Sequence, residues 1–236
     1  MQNAQADAVE SSNIVGYQSV EIPTGFSLFT VTFENVDGGE YDLKNIKLLD
    51  ENGTAIESSN GKVRIQKMDS SGAYLTGYPY RTTRGGWCSG NTLLADGAVT
   101  FKSGEAFCVN NGGDTKVQFQ VSGGVTIVPQ STSIAAGGFT LIGNMTPQTI
   151  DLKSIVPVKE DGSAIESSNG KIRVQKMATN GAYLTGYPYR TTRGGWCSGN
   201  TLLADGAVTL APGESVCVNN GEDFAIVFKF PSPISK

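Results

Sequence analysis

GAYLTGYPYRTTRGGWCSGNTLLADGAVT runs from Gly72 to Thr100, and the same 29 letters run again from Gly181 to Thr209. The chain is therefore one unit written twice. The likeness extends beyond this block: Thr54 to Thr100 against Ser163 to Thr209 is 41 identities in 47 positions, with mild exchanges such as Val63/Ile172, Ile65/Val174 and Ser71/Asn180. Farther on, GEAFCVNNGGD at Gly104 to Asp114 answers GESVCVNNGED at Gly213 to Asp223. The first third matches only in patches. Gly25-Phe26-Ser27-Leu28 corresponds to Gly138-Phe139-Thr140-Leu141, offset by 113, and Asp42-Leu43-Lys44 to Asp151-Leu152-Lys153, offset by 109. The first copy thus holds four extra residues near Val36 to Tyr41.

Two units are too few for a solenoid, in which each repeat borrows its core from its neighbours. Each unit is long enough to bury a modest core of its own. The expected organisation is an N-terminal arm at 1–12, a first β-domain at 13–122 and a second at 125–236, with the seam at Ser122-Gly123-Gly124.

Alternation with a period of two dominates. Phe29, Val31 and Phe33 alternate with Thr30, Thr32 and Glu34; Val117, Phe119 and Val121 alternate with Gln118 and Gln120; Phe224, Ile226, Phe228 and Phe230 form a third set. Each pattern suits a half-buried antiparallel strand. Asn-Gly pairs at Asn52, Asn60, Asn111, Asn169, Asn180 and Asn220 supply hairpin turns. No stretch carries a sustained helical stripe. The expected fold class is all-β: two tandem, near-identical antiparallel domains of sandwich or jelly-roll type, with about seven to nine strands each.

Composition narrows the function. The chain has no histidine, only 17% charged residues and a net charge of -4. Without imidazole, the commonest general base and metal ligand are missing. An acidic, weakly charged chain lacks the basic footprint of a nucleic-acid binder. No apolar run reaches the ~20 residues of a membrane span. Cys88 and Cys108 have counterparts in Cys197 and Cys217. With no C-x-x-C spacing, these read as one intradomain disulfide per unit, 88–108 and 197–217, and hence as an oxidising compartment. Ala4-Gln5-Ala6 has the A-x-A form that often ends a signal peptide, so the start reads as a mature or expression boundary.

The most distinctive residues are Tyr78, Tyr80, Arg81, Arg84 and Trp87, repeated as Tyr187, Tyr189, Arg190, Arg193 and Trp196. Tyr, Trp and Arg are the side chains of interface hot spots. Three readings stay open: a contact between subunits, packing of Trp87 and Tyr74 into the core, or a surface for sugars. Glu57, Asp96 and Glu105, with Glu166, Asp205 and Glu214, are the acids a glycosidase pair would need, and read as turn and surface groups. No cofactor is expected. The one metal reading is calcium, at Asn110, Asn111 and Asp114 or at Asp37 and Glu40. Asn52 and Asn144 fit the N-glycosylation pattern.

The opening Asn13-Ile14-Val15-Gly16-Tyr17, followed by Ile22-Pro23-Thr24-Gly25-Phe26-Ser27-Leu28, resembles the start of certain secreted bacterial β-proteins of the Verrucomicrobia and Lentisphaerae lineage. These begin with a V-G-Y segment and a P-x-G-F-x-L turn. The resemblance covers this opening alone and implies export and surface placement, with no catalytic residues. The second copy departs from it at Pro129 and Gln130.

The expected function is non-enzymatic: a structural subunit of an extracellular assembly (a filament, sheath or surface layer) whose partners are copies of itself. In this expectation the contact between units repeats head to tail from chain to chain, helped by the N-terminal arm and by Phe224 to Phe230 as an edge strand. A secreted, bivalent carbohydrate-binding module, with glycans as partners, is the alternative.

Overall fold

The computed structural model describes residues 15–35, 39–102, 104–125 and 131–231. The protein is all-β, with antiparallel sheets and, among the described residues, only single-turn 3-10 segments between them. Each copy of the repeat builds its own set. In the first half, a six-stranded sheet runs Gly25–Thr30, Ala106–Asn111, Asn60–Gln66, Tyr78–Arg81, Gly86–Ser89, Thr92–Leu93. A smaller sheet centres on Val117–Val125, flanked by Val15–Ile22 on one side and by Phe33–Glu34 and Lys47–Leu49 on the other. The second half repeats this plan. Its large sheet runs Phe139–Gly143, Ser215–Asn220, Asn169–Gln175, Tyr187–Arg190, Gly195–Ser198, Thr201–Leu202, and its small sheet runs Ser131–Ile134, Ile226–Lys229, Pro157–Lys159.

The sheets face each other across apolar cores, as the alternation predicts. Phe119 of the small sheet meets Phe29 and Trp87 of the large one, edge to face, at ring separations of 5.6 and 5.9 Å. Trp196 and Phe228 meet in the second half at 5.8 Å with their rings tilted by 50°. Val117, Phe119 and Val121 are all buried, as are Ile226, Phe228 and Phe230. The strands are shorter and more numerous than expected: twelve in the first half and eleven in the second among the described residues. Pairing shifts register between Asn60 and Arg64, and between Asn169 and Arg173, where Gly61 and Gly170 take φ values of +79° and +84°.

Several expectations are corrected. All four cysteines are free and buried, so neither 88–108 nor 197–217 is a disulfide. Cys88 lies in Gly86–Ser89 and Cys108 in Ala106–Asn111, with two strands between them. Three strand spacings hold them about 14 Å apart, twice the ~7 Å that a bridge allows. The segment ending at Phe230 is no edge, because Ile226–Lys229 is the middle strand of its sheet. Ser122-Gly123-Gly124, the expected seam, lies within a strand. It continues the strand to Val125, and a Cβ on Gly123 would stand 2.3 Å from the Glu34 carbonyl oxygen, which is why glycine is there. Asn144 is fully buried, its Nδ2 donating to the carbonyls of Gln148 and Leu210, so its side chain is closed to glycosylation. The N-terminal arm and Asp37 lie outside the described residues.

Candidate functional site: a reciprocal joint and two identical outer edges

Thr30 shows where the halves meet. Period two points it outward, yet it is fully buried, because the second half covers that side of the strand. Its N–H donates to the Gly213 carbonyl (3.1 Å), and the counterpart N–H of Gly143 donates to the Gly104 carbonyl (3.3 Å). Phe26 N–H donates to Thr179 O (2.7 Å), and Phe139 N–H to Ser70 O (3.0 Å). Phe29 bridges Glu214 as Ile142 bridges Glu105. These backbone contacts occur twice with the roles exchanged, the signature of a two-fold, self-complementary interface.

The side chains obey the same symmetry. The Phe139 ring lies on Gly72 and the Phe26 ring on Gly181, and a Cβ on either glycine would approach the ring to 3.0 or 3.1 Å. The hydroxyls of Tyr74 and Tyr183 meet at 2.5 Å. Around them Ala106, Leu141 and Cys217 form a shared apolar cluster with Leu28, Met68 and Phe139. The Cys108 thiol lies 4.0 Å from the Met177 sulfur of the other half. Burial raises both tyrosine pKa values and pushes the Cys108 and Cys217 thiols up to about 11. The joint explains the patchy match of the first third. Gly25 to Leu28 and Gly138 to Leu141 stay alike because each must fit the other half's Ser70–Gly72 or Thr179–Gly181 loop.

The ring-and-guanidinium segment makes its contacts within its own half. Trp87 and Trp196 are 2% and 1% exposed, and their Nε1 atoms donate to the carbonyls of Ile46 (2.8 Å) and Ile155 (2.7 Å). Tyr80 and Tyr189 pack edge-on against these indoles, and Tyr78 and Tyr187 rest on the same cores. Arg81 clips two turns together, donating to Gly90 O (3.0 Å) and Asn60 Oδ1 (3.1 Å), and Arg190 repeats this with Gly199 and Asn169. Only Arg84 and Arg193 of the ten are exposed. The sequence missed the residues that do join two bodies, Phe26, Gly72, Tyr74 and their counterparts. The signal for Phe26 and Phe139 was one of the two patches, with Asp42 to Lys44, that stay alike in an otherwise diverged first third.

The acids are also engaged. Asp96 and Asp205 pair with Lys44 and Lys153, and each carboxylate titrates below its usual range because of its lysine. Glu105 and Glu214 pair with Lys67 (2.7 Å) and Lys176 (2.6 Å), while Glu57 and Glu166 are exposed. Asn111 is a turn-former: its Nδ2 donates to Thr115 O (2.9 Å) and its Oδ1 accepts from Gly113 N (3.1 Å). Asp114 pairs with Lys62, and Glu40 accepts from the Thr100 hydroxyl. Among the described residues no three His, Cys, Asp or Glu side chains converge as a metal site, and no helix is long and apolar enough to cross a membrane.

What the joint leaves free is the opposite edge of each large sheet. Gly25–Thr30 and Phe139–Gly143 are spent at the centre. Thr92–Leu93 and Thr201–Leu202 end the sheets five strand spacings away, about 24 Å along each sheet. These outer strands are paired on one side only among the described residues. They carry Leu93 and Leu202, 44% and 43% exposed. The three outermost strands of each sheet, Tyr78 to Leu93 and Tyr187 to Leu202, fall inside the block that is letter-for-letter identical. No known protein family, curated protein or solved structure matches the chain.

Proposed function

We propose that the protein is a structural building block, without catalytic function, that polymerises end to end through the outer edges of its two large sheets. The observation that carries this reading is the placement of the identical block at both ends of a two-fold pair. A body with the same edge at each end extends into a filament whenever that edge pairs with itself, because each added chain presents a fresh copy. A short edge strand offers unpaired N–H and C=O groups for such pairing, and Leu93 and Arg84 flank it with apolar and cationic contact. The polymer contact in this proposal is therefore not the one between the halves. That joint is reciprocal, so each half uses its whole contact face inside the chain and has none left for a neighbour. Free cysteines remove the disulfide argument for export, and placement at the cell surface rests on the opening segment alone.

A bivalent glycan binder is the second reading. It draws on a hollow of about 400 Å³ bordered by Lys44, Leu49, Tyr80, Gly85 and Leu93. It is the weaker one, since Trp87 offers no open face for a pyranose.

The test is a sedimentation series on wild type, Leu93→Arg and Leu93→Arg/Leu202→Arg. Wild type is expected to form long oligomers. The single variant, with one end blocked, should stop at pairs of chains, and the double variant should stay single. A wild type that sediments as one chain at every concentration, or a double variant that still polymerises, would overturn the proposal.

A further inference from the structure

Among near-identical copies, the differences are informative. In the first half a surface recess of about 500 Å³ has Ile56, Val63 and Val117 as its apolar floor and Lys62, Asn111 and Gly113 around it. In the second half five lining positions carry larger residues: Asp50 becomes Lys159, Val63 becomes Ile172, Gly113 becomes Glu222, Thr115 becomes Phe224 and Val117 becomes Ile226.

Glu222 is the decisive exchange. Its side chain is only 5% exposed; Oε2 lies 3.3 Å from Lys171 Nζ, while Oε1 is buried with no partner. Ile165 is 6% exposed, whereas its counterpart Ile56, on the floor of the recess, is only half-buried. The position that is Gly113 on the border of the open recess thus carries, in the second half, a buried carboxylate on a two-carbon stem beside the equivalent lysine. In the first half Lys62, the counterpart of Lys171, turns instead to the 94% exposed Asp114, at 3.2 Å.

We infer that the first-half recess is a binding site for a carboxylate on a short aliphatic stem, with Lys62 as its counter-ion, and that Glu222 is the built-in occupant of the equivalent site. The lysine leaves an exposed partner for a more sheltered one, where a charge-assisted hydrogen bond is stronger. Three acids border the recess: Asp50, Glu57 and Asp114. The last two do not bar a carboxylate, since their counterparts Glu166 and Asp223 coexist with Glu222. Asp50 is occupied by its own turn, its Oδ1 accepting from the N–H groups of Asn52 (2.9 Å) and Thr54 (2.8 Å). Lys159 replaces it in the second half, so the first-half site is the weaker of the two. The carboxylate belongs either to a free short-chain acid or to an Asp or Glu side chain of a partner chain. The inference is independent of the assembly proposal.

The full chain, followed by NMR at the Ile56 and Ile165 methyls and the Gly113 amide, tests it. The probes are propionate, N-acetylglutamate N-methylamide and ethylammonium. Propionate and the capped glutamate are expected to shift Ile56 and Gly113 and to leave Ile165 unmoved. Glu222→Gly should make Ile165 respond as well. Gly113→Glu should abolish the Ile56 response, and the second half shows that the same turn accepts that side chain. Lys62→Met should weaken binding at least about tenfold. A tighter fit for the capped glutamate marks a partner's side chain as the natural occupant, and equal affinity marks a free acid. Silence at Ile56 with both carboxylates, preference for ethylammonium, or an undiminished response in Gly113→Glu would each overturn the inference. The comparison of Ile56 with Ile165 in the wild-type chain decides it even if a variant fails to fold.

Discussion

Gly25→Ala tests the joint with a single methyl group. Gly25 opens the inner edge strand at φ +87°, and a Cβ there would lie 2.2 Å from the carbonyl oxygen of Thr179 in the other half. Placing alanine in the left-handed region costs about 1–2 kcal/mol by itself. The overlap then forces the halves apart at this point. That breaks the 2.7 Å bond from Phe26 N–H to Thr179 O and leaves a sheltered donor and acceptor unpaired, at about 1–3 kcal/mol more. The total is about 2–5 kcal/mol. Gly85→Ala is the control: Gly85 has φ +83°, but nothing lies within 4 Å of its Cβ position, so it incurs the backbone cost alone. Urea unfolding of both variants isolates the joint as the difference between them, read from the midpoints at constant m. Equal losses for Gly25→Ala and Gly85→Ala would mean that no carbonyl stands over Gly25 in solution, and the joint as described would be refuted.

Trp87→Ala should cost about 3–5 kcal/mol of stability, as for a buried ring that also leaves the Ile46 carbonyl unpaired; Arg84→Ala should stay within about 0.5 kcal/mol, and calorimetry of the pair separates core from surface. All four thiols should be silent to a thiol reagent in the native chain and all four should react after unfolding without reductant; none reacting would restore the disulfides. Stability should hold up to about pH 9 and then fall toward pH 11, because the Cys108 and Cys217 thiols ionise near 9.0 when unfolded and near 11 when buried, so alkali favours the unfolded chain across that window. Replacing both by alanine should flatten that part of the pH profile measured by urea titration.

The all-β class was legible because alternation is a local signal. Val117, Phe119 and Val121 point inward as their spacing requires. Thr30 broke the rule because its environment is set by residues from the other half, which no local pattern carries. The cysteines misled for a related reason. Equivalent spacing in two copies is what a disulfide gives, and it is also what two buried strand positions give; strand order, a non-local fact, separates them. The aromatic segment was read from residue type, and type does not say which face of a strand a side chain takes. Tyr80 and Trp87 pack into the core while Arg84 sits on the turn between. The patch Gly25 to Leu28 was visible as one of two matching parts of a diverged region, yet its meaning needed the knowledge that it touches the opposite copy. The recess was hidden similarly, in a glycine-to-glutamate exchange that looks like surface drift.

The whole account turns on the contact of two phenol rings, one from each copy. In a sample of the full chain with only its tyrosine rings labelled, the nuclear Overhauser spectrum should connect the Tyr74 and Tyr183 ring protons. That cross-peak should vanish when either residue is replaced by leucine. Two well-resolved rings with no cross-peak between them would show that the halves do not meet face to face, and the symmetric placement of the outer edges would fall with it.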